Sequence, residues 1–371
     1  MKKVLYTATV VSHICQFHLP YLQMLKDMGY EVHVAARDNL AEKNGLKLEY
    51  ADKFFDIPFR RSPFSPKNLG AKGQLKKIID REGYDIIVCN TPVGGIMTRL
   101  AAIGARKRGT RVVYIAHGFH FYKGGPKKSW LIYYPIEKIF SKKCDAIVTI
   151  TDEDYRLASE KFGGVAFRIH GMGVNGERHH TVSEGERAEM RRELGIGEGD
   201  FVCLCTGELN QNKNQASLIR LVPKIKEKIP GFKLWLAGNG PLRSELEELI
   251  SELGLETDVT LLGYQPKIER YVRACDVVSS VSKREGLPFN IVEAMLTGRP
   301  VVASVNRGHR ELIENGVTGF ITDSQEELCG YIEALYSDKE LYCKIAAEAE
   351  RKAAAYTVAS VKEEFTRVLF K

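Results

Sequence analysis

Short apolar runs alternate along the chain with longer stretches in which apolar positions recur every three or four residues. In the first half the short runs are Lys3–Val10, Glu31–Ala35, Asp85–Cys89, Arg111–Ala116, Asp145–Ile150 and Val165–Ile169. Stretches of helical period lie near 18–28, 66–82, 93–108, 127–143 and 152–162. The rhythm repeats in the second half, with strands expected at Phe201–Thr206, Phe232–Ala237, Val259–Leu262, Asp276–Val281 and Pro300–Ala303. Helices fill the intervals, and three more close the chain near 324–337, 339–354 and 357–370. Strand–helix alternation of this kind predicts parallel sheets with helices on both faces. At 371 residues the chain exceeds one ordinary core, so two α/β domains are expected. The glycine-dense stretch His170-Gly-Met-Gly-Val-Asn-Gly176 suits a boundary, because glycine tolerates many backbone angles. It divides the chain into 1–171 and 172–355, with a last helix over 356–371.

Composition narrows the class. Apolar residues make up 44% and charged residues 27%, as in a soluble globular protein. No run approaches the roughly 18 apolar residues of a membrane span. Two lysines precede the first apolar run, but the run is short and lacks a small-residue cleavage site, so it reads as a buried strand. The eight cysteines are scattered without a Cys-x-x-Cys pair and read as small buried hydrophobes in a reducing compartment. They disfavour a zinc site or a disulfide framework. The net charge of +7 is uneven: residues 1–170 hold 28 basic and 16 acidic side chains, and the remainder 26 and 31. A basic first half suits an anionic partner such as nucleic acid, a membrane surface or a phosphorylated acceptor.

Candidate chemistry concentrates between Ser282 and Glu311. Glu285 and Glu293 stand eight apart around a Gly286-Leu287-Pro288 turn and a helix expected to start near Phe289. The loop lies at the carboxyl end of a strand, where ligands bind in open α/β sheets. A helix start there offers unpaired N–H groups to a phosphate. Glu285 is placed to accept from sugar hydroxyls, and Glu293 from a ribose diol; two solvated glutamates on an amphipathic helix fit the same spacing. After Phe201–Thr206, a turn at Gly207 and Lys213 before a helix form a second candidate phosphate loop. Gly238 and Gly240 occupy another strand–helix junction. The first loop, Thr9–His18, contains no glycine and so disfavours a nicotinamide-binding unit. His13, His18, His117 and His120 are candidate contacts or structural histidines. Asp152-Glu153-Asp154 follows Thr151, which reads as a helix cap rather than a metal motif. Near 127–143, lysines flank Trp130, Tyr133, Tyr134 and Phe140, a pattern shared by interfacial membrane helices and by core helices with an outer basic face.

The run Glu285-Gly-Leu-Pro-x4-Glu293-Ala-Met followed by Gly298-Arg-Pro-Val-Val-Ala resembles the donor site of retaining glycosyltransferases of family four, which have the two-domain GT-B fold. Ala116-His-Gly-Phe-His-Phe121 and His18-Leu-Pro resemble its capsular and exopolysaccharide subgroup. The resemblance implies two Rossmann-like domains facing across a cleft, with the last helix crossing back to the first domain. It implies a donor site made by Gly207, Gly238, Gly240, Gly263, Tyr264, Arg284, Gly286, Leu287, Pro288, Phe289, Asn290, Ile291 and Glu293. His117, Lys213 and Glu285 would act in catalysis, His117 by reaching the donor sugar, and His13, His18 and His120 would face the acceptor. One departure is a charge reversal: Glu208 stands where the family has a phosphate-binding arginine, leaving Arg284, Arg307 and Arg310 as substitutes. The implied function is transfer of a hexose or N-acetylhexosamine from a nucleotide sugar, most simply UDP-linked, to a lipid-diphosphate-linked saccharide, with retention and without metal or other cofactor. Nucleic acid is not an expected partner. The implied location is the cytoplasm, peripheral to the inner face of the cell membrane. A sugar-nucleotide epimerase of the same architecture and a non-catalytic nucleotide-sugar-binding protein remain the alternatives.

Overall fold

The computed structural model describes residues 1–43, 45–63 and 65–371. The chain forms two compact units, Met1–Met172 with Val358–Lys371, and Gly173–Thr357.

The first unit is built on a seven-stranded parallel sheet: β1 (Lys3–Val10), β2 (Glu31–Arg37), β3 (Lys53–Asp56), β4 (Ile86–Asn90), β5 (Arg111–Ala116), β6 (Ala146–Thr149) and β7 (Val165–Arg168). Its order is β3-β2-β1-β4-β5-β6-β7, so the winding reverses between β1 and β4. That reversal opens the crevice at the strands' carboxyl ends. Edge strand β3 escapes the hydrophobic pattern because three of its four residues are exposed and both ends are charged. The segment after β1 is not a loop but a helix, Val11–Phe17, running directly into the helix Leu19–Asp27. The last helix, Val358–Phe370, is part of this unit: Phe365 is fully buried and meets Tyr21 edge to face at 5.2 Å. Glu364 on the same helix accepts from the His170 ring at 2.6 Å and from its backbone N–H at 2.9 Å.

The second unit carries six parallel strands: β8 (Phe201–Thr206), β9 (Phe232–Ala237), β10 (Val259–Gly263), β11 (Val277–Ser280), β12 (Val301–Ala303) and β13 (Phe320–Ile321). They lie in the order β10-β9-β8-β11-β12-β13. Along β8, Phe201, Cys203 and Cys205 enter one core layer, and Val202 and Leu204 the opposite one. This period of two, buried on both faces, is why the strand reads as an unbroken apolar run. Strand β13 is only two residues long, too short to show alternation.

Seven of the eight cysteines are buried and all are free. Thr151 caps the helix Asp152–Lys161 by accepting from the Asp154 N–H, and Asp154 accepts from the Phe119 N–H at 3.2 Å. The Asp-x-Asp run is therefore spent on local structure. In the helix Lys127–Ser141, Trp130, Tyr133, Tyr134, Ile136 and Phe140 pack on the core of the first unit, while Lys127, Lys128, Leu131, Pro135, Lys138 and Ile139 are exposed. The aromatics point inward, and the outer face combines lysines with two exposed aliphatic side chains. Among the described residues, no helix is long and apolar enough to cross a membrane.

Candidate active site

Three loops at the carboxyl ends of β8, β9 and β10 form a cavity of about 550 Å³ in the second unit, lined by Thr206, Gly207, Glu208, Gly238, Asn239, Tyr264, Gln265, Arg178, His179 and Glu293 among others. The loops stack backbone on backbone. A Cβ on Gly238 would lie 1.9 Å from the Gly207 carbonyl oxygen, and one on Gly240 2.3 Å from that of Leu209. Gly207 and Gly238 have φ near +147° and +149°, a region that side chains resist. Gly238 also donates its N–H to the Gly263 carbonyl at 2.8 Å. These glycines are required by close packing of the loops around the cavity.

Lys213 and Glu285, 72 residues apart in sequence, meet at 2.7 Å with both side chains largely buried. Glu285 belongs to the loop after β11, and Lys213 to the loop after β8. The helix Phe289–Leu296 starts next to that loop with no side-chain cap, and the positive end of its dipole favours an anion there. Asn290 anchors it by donating to the Thr206 carbonyl at 3.2 Å. Ile291 is fully buried, and Leu287 and Phe289 pack on the core, so these three shape the helix start through backbone and packing. Gly308 seats the next helix, Arg307–Leu312, against the loop, since a Cβ there would fall 2.7 Å from the Gly286 carbonyl oxygen and 2.9 Å from Pro288.

Glu293 faces the cavity one to two turns into its helix. Burial raises its pKa to about 7, an effect that Arg178 opposes and Glu269 reinforces. His179 lies beside it, Nε2 to Oε1 3.8 Å, and burial lowers its pKa to about 4, so the ring is neutral at pH 7. Arg178 and His179 were not legible as site residues, because the polar run after Gly176 carries no motif and enters the cavity only through the fold, whereas Asn239 and Gln265 lie in the glycine-turn segments after β9 and β10. Glu208 is exposed at the cavity and accepts from Asn210 at 2.9 Å. Of the three candidate substitutes for the missing arginine, Arg284 and Arg310 are exposed and Arg307 is buried. Tyr264 is 73% exposed, free to lie along a ligand.

The first unit has its own cavity, about 320 Å³, at the β1/β4 crevice. Its wall is largely apolar, from Val10, Val93, Ile96, Phe119, Phe121 and Ile136, with Arg61, His13, His120 and Glu137 as polar groups. Glu137 is buried and held by Arg99 at 3.0 Å and by the Tyr114 hydroxyl at 3.0 Å. Thr91, at the start of the helix Pro92–Ala101, has φ +63°, a strained value for a β-branched residue. Its hydroxyl is 2.7 Å from that of Thr9. His13 and His117 meet at 3.2 Å through their Nε2 atoms, and His117 Nε2 also lies 3.2 Å from Asn90 Oδ1. His18 is fully buried within 5.4 Å of both rings, centroid to centroid. His120 is apart from the three, exposed and stacked on Tyr133 at 4.7 Å.

Comparison with known proteins places these two units. The family model described as glycosyl transferases group 1 matches residues 186–352, and that described as glycosyl transferase 4-like matches residues 3–151. EpsD of Bacillus subtilis strain 168, which bears the name of a glycosyltransferase, is 44% identical over 99% of this chain and 96% of its own length. The Escherichia coli UDP-Gal:alpha-D-GlcNAc-diphosphoundecaprenol alpha-1,3-galactosyltransferase is 26% identical over 88% of this chain and 84% of its own. The crystal structure of Anabaena HepE in complex with UDP superposes with a TM-score of 0.80 at 22% identity, covering 100% of this chain and 99% of that one. With a parallel-sheet α/β unit on either side of residue 172, and with glycosyltransferase matches over both, the chain belongs to the group 1, GT4-like glycosyltransferases of GT-B fold.

Proposed function

We propose that this glycosyltransferase moves a sugar from a UDP-linked donor to a lipid-diphosphate-linked saccharide in capsule or exopolysaccharide assembly, with retention of configuration. The observation that carries this reading is the second unit's cavity, with Glu293 on one side and the Lys213–Glu285 pair in the loops nearby. A uridine nucleotide fits with its ribose diol on Glu293 and its diphosphate towards Lys213 and the start of Phe289–Leu296. Charge grows on the departing diphosphate as the glycosidic bond breaks, so a fixed cation and helix start aimed there lower the barrier. No divalent ion at the phosphates is part of this reading. Glu285 holds Lys213 in place and offers its second oxygen to the sugar. The acceptor occupies the first unit's cavity, beside His13 and His120. Support for the donor comes from the UDP-bound relative of known structure, and for the acceptor from the Escherichia coli relative that acts on a diphosphoundecaprenol-linked sugar.

Turnover tests it directly. The protein is incubated with a panel of UDP-sugars and a diphosphoundecaprenol-linked monosaccharide, and products are resolved by mass spectrometry. A disaccharide product with release of UDP is expected. Steady epimer formation from UDP-N-acetylglucosamine without acceptor would instead establish the epimerase reading.

The outer face of Lys127–Ser141 fits an anionic membrane, which would bring a lipid-linked acceptor to the enzyme. Leu131 and Ile139 are 79% and 62% exposed amid Lys127, Lys128, Lys138, Lys142 and Lys143. Such a face binds by apolar insertion together with attraction to anionic headgroups. Co-sedimentation with vesicles containing phosphatidylglycerol is expected, weakened by salt and by Leu131→Glu with Ile139→Glu. Equal binding to neutral vesicles, or none to either, would remove the membrane role.

A further inference from the structure

We infer that His13, His18 and His117 form a binding site for a divalent transition-metal ion of the zinc class. The sequence offers no such motif: the three histidines are separated by 5 and 99 residues. The fold collects them because the helix Val11–Phe17 leaves β1 at the same sheet edge where His117 leaves β5. One ligand atom from each lies within 4.8 Å of the others.

Three further observations point to an ion. The His13 and His117 Nε2 atoms are 3.2 Å apart, close to the roughly 3.4 Å edge of a tetrahedron with Zn–N bonds of 2.0–2.1 Å. Asn90 Oδ1 lies 3.2 Å from His117 Nε2, a neutral oxygen placed to be a fourth donor. Its orientation is set by the amide nitrogen, which donates to the Thr7 carbonyl at 3.2 Å. Most telling is His18. It is fully buried, and neither ring nitrogen has a hydrogen-bond partner, although a neutral imidazole carries one donor and one acceptor. Buried polar groups are rarely left so. A small shift of the rings onto one ion satisfies His18 and exchanges the hydrogen bond between His13 and His117 for two metal bonds. Imidazole nitrogens with one amide oxygen suit Zn²⁺, Co²⁺ or Ni²⁺ rather than Mg²⁺ or Ca²⁺. Access is from the His13 side, since His13 lines the first unit's cavity. This site lies in the first unit, apart from the diphosphate site in the second, and it draws on His13, beside which the acceptor is proposed to lie, so a bound ion and the acceptor compete for that side chain.

The test uses the full chain with any affinity tag removed. Metal content after expression in zinc-supplemented medium is measured by plasma mass spectrometry, and the chelator-treated protein is titrated with Co²⁺ and followed in the visible range. Near one equivalent of zinc, cobalt d–d bands of a nitrogen-rich site and a rise in Tm with Zn²⁺ are expected. His13→Ala changes a position that is not fully buried and should fold while weakening Co²⁺ binding at least tenfold; His117→Ala should do the same. Wild-type protein with neither bound metal nor a cobalt spectrum would overturn the site. So would cobalt binding unchanged in both variants, which would assign the metal to other histidines.

Discussion

Lys213→Ala is expected to lower kcat for sugar transfer by about 10²–10³, the loss typical when one preorganised donor to a developing anion is removed. Two effects add. The cation nearest the expected diphosphate position disappears, and Glu285, now without its 2.7 Å partner, is left as a largely buried negative charge beside an anionic substrate. The second effect predicts a specific pattern. Glu285→Gln removes that repulsion, so the double variant Lys213→Ala/Glu285→Gln should recover part of the loss in donor KM while kcat stays low. Lys213→Arg should retain more kcat than Lys213→Ala by restoring charge. Steady-state kinetics on the four proteins decides it. Activity within threefold of wild type for Lys213→Ala would remove this lysine from the site and, with it, the answer to the charge reversal at Glu208.

Glu293→Ala is expected to lower kcat/KM for the donor by about 10²–10⁴, because two hydrogen bonds to an ionised acceptor are lost at about 1.5–3 kcal/mol each. Its pH dependence follows from its surroundings. Burial raises its pKa to about 7, from the ordinary range near 4.5, against the attraction of Arg178 and with repulsion from the Glu269 carboxylate reinforcing it. His179 alongside is neutral and supplies no counter-charge. Between these two values the folded chain holds a proton that the unfolded chain has released. Stability from this group is therefore greatest in acid and falls as pH rises towards 7. Ribose binding needs the carboxylate to accept two hydroxyls, so below pH 7 binding must first release that proton. Affinity for UDP should then fall with acidification by up to tenfold per pH unit below 7. Calorimetry from pH 5.5 to 8.5 tests this, with Glu293→Gln as reference, since the phosphate of UDP titrates equally against both proteins. The expected difference is a slope below pH 7 present only in the wild type. Parallel slopes would place the ribose elsewhere.

Much of the architecture was legible in the linear pattern, and the reasons are visible in particular elements. β1, β5, β8 and β9 were bounded correctly because strands buried on both faces are continuous apolar runs ending at polar loops. β3 and β13 were not, one being exposed at the sheet edge and the other two residues long. The helix Val11–Phe17 was read as a loop because it follows β1 without a turn residue or capping side chain. The Trp130 helix shows the same limit: its composition allowed aromatics facing either a membrane or a core, and packing put them on the core and left Leu131 and Ile139 outside.

The sequence by itself determined the two parallel-sheet halves, the glycosyltransferase family and the loops that carry the chemistry, because strand periodicity, close-packing glycines and helix starts are local properties. The tertiary structure decided which side chains meet. It joined Lys213 to Glu285 across 72 residues, set His179 beside Glu293, and gathered His13 and His18 around His117. Those encounters depend on strand order and on loops converging at one sheet edge. So do the burial that raises Glu293 to about 7 and leaves His18 without a hydrogen-bond partner, and no local pattern encodes either.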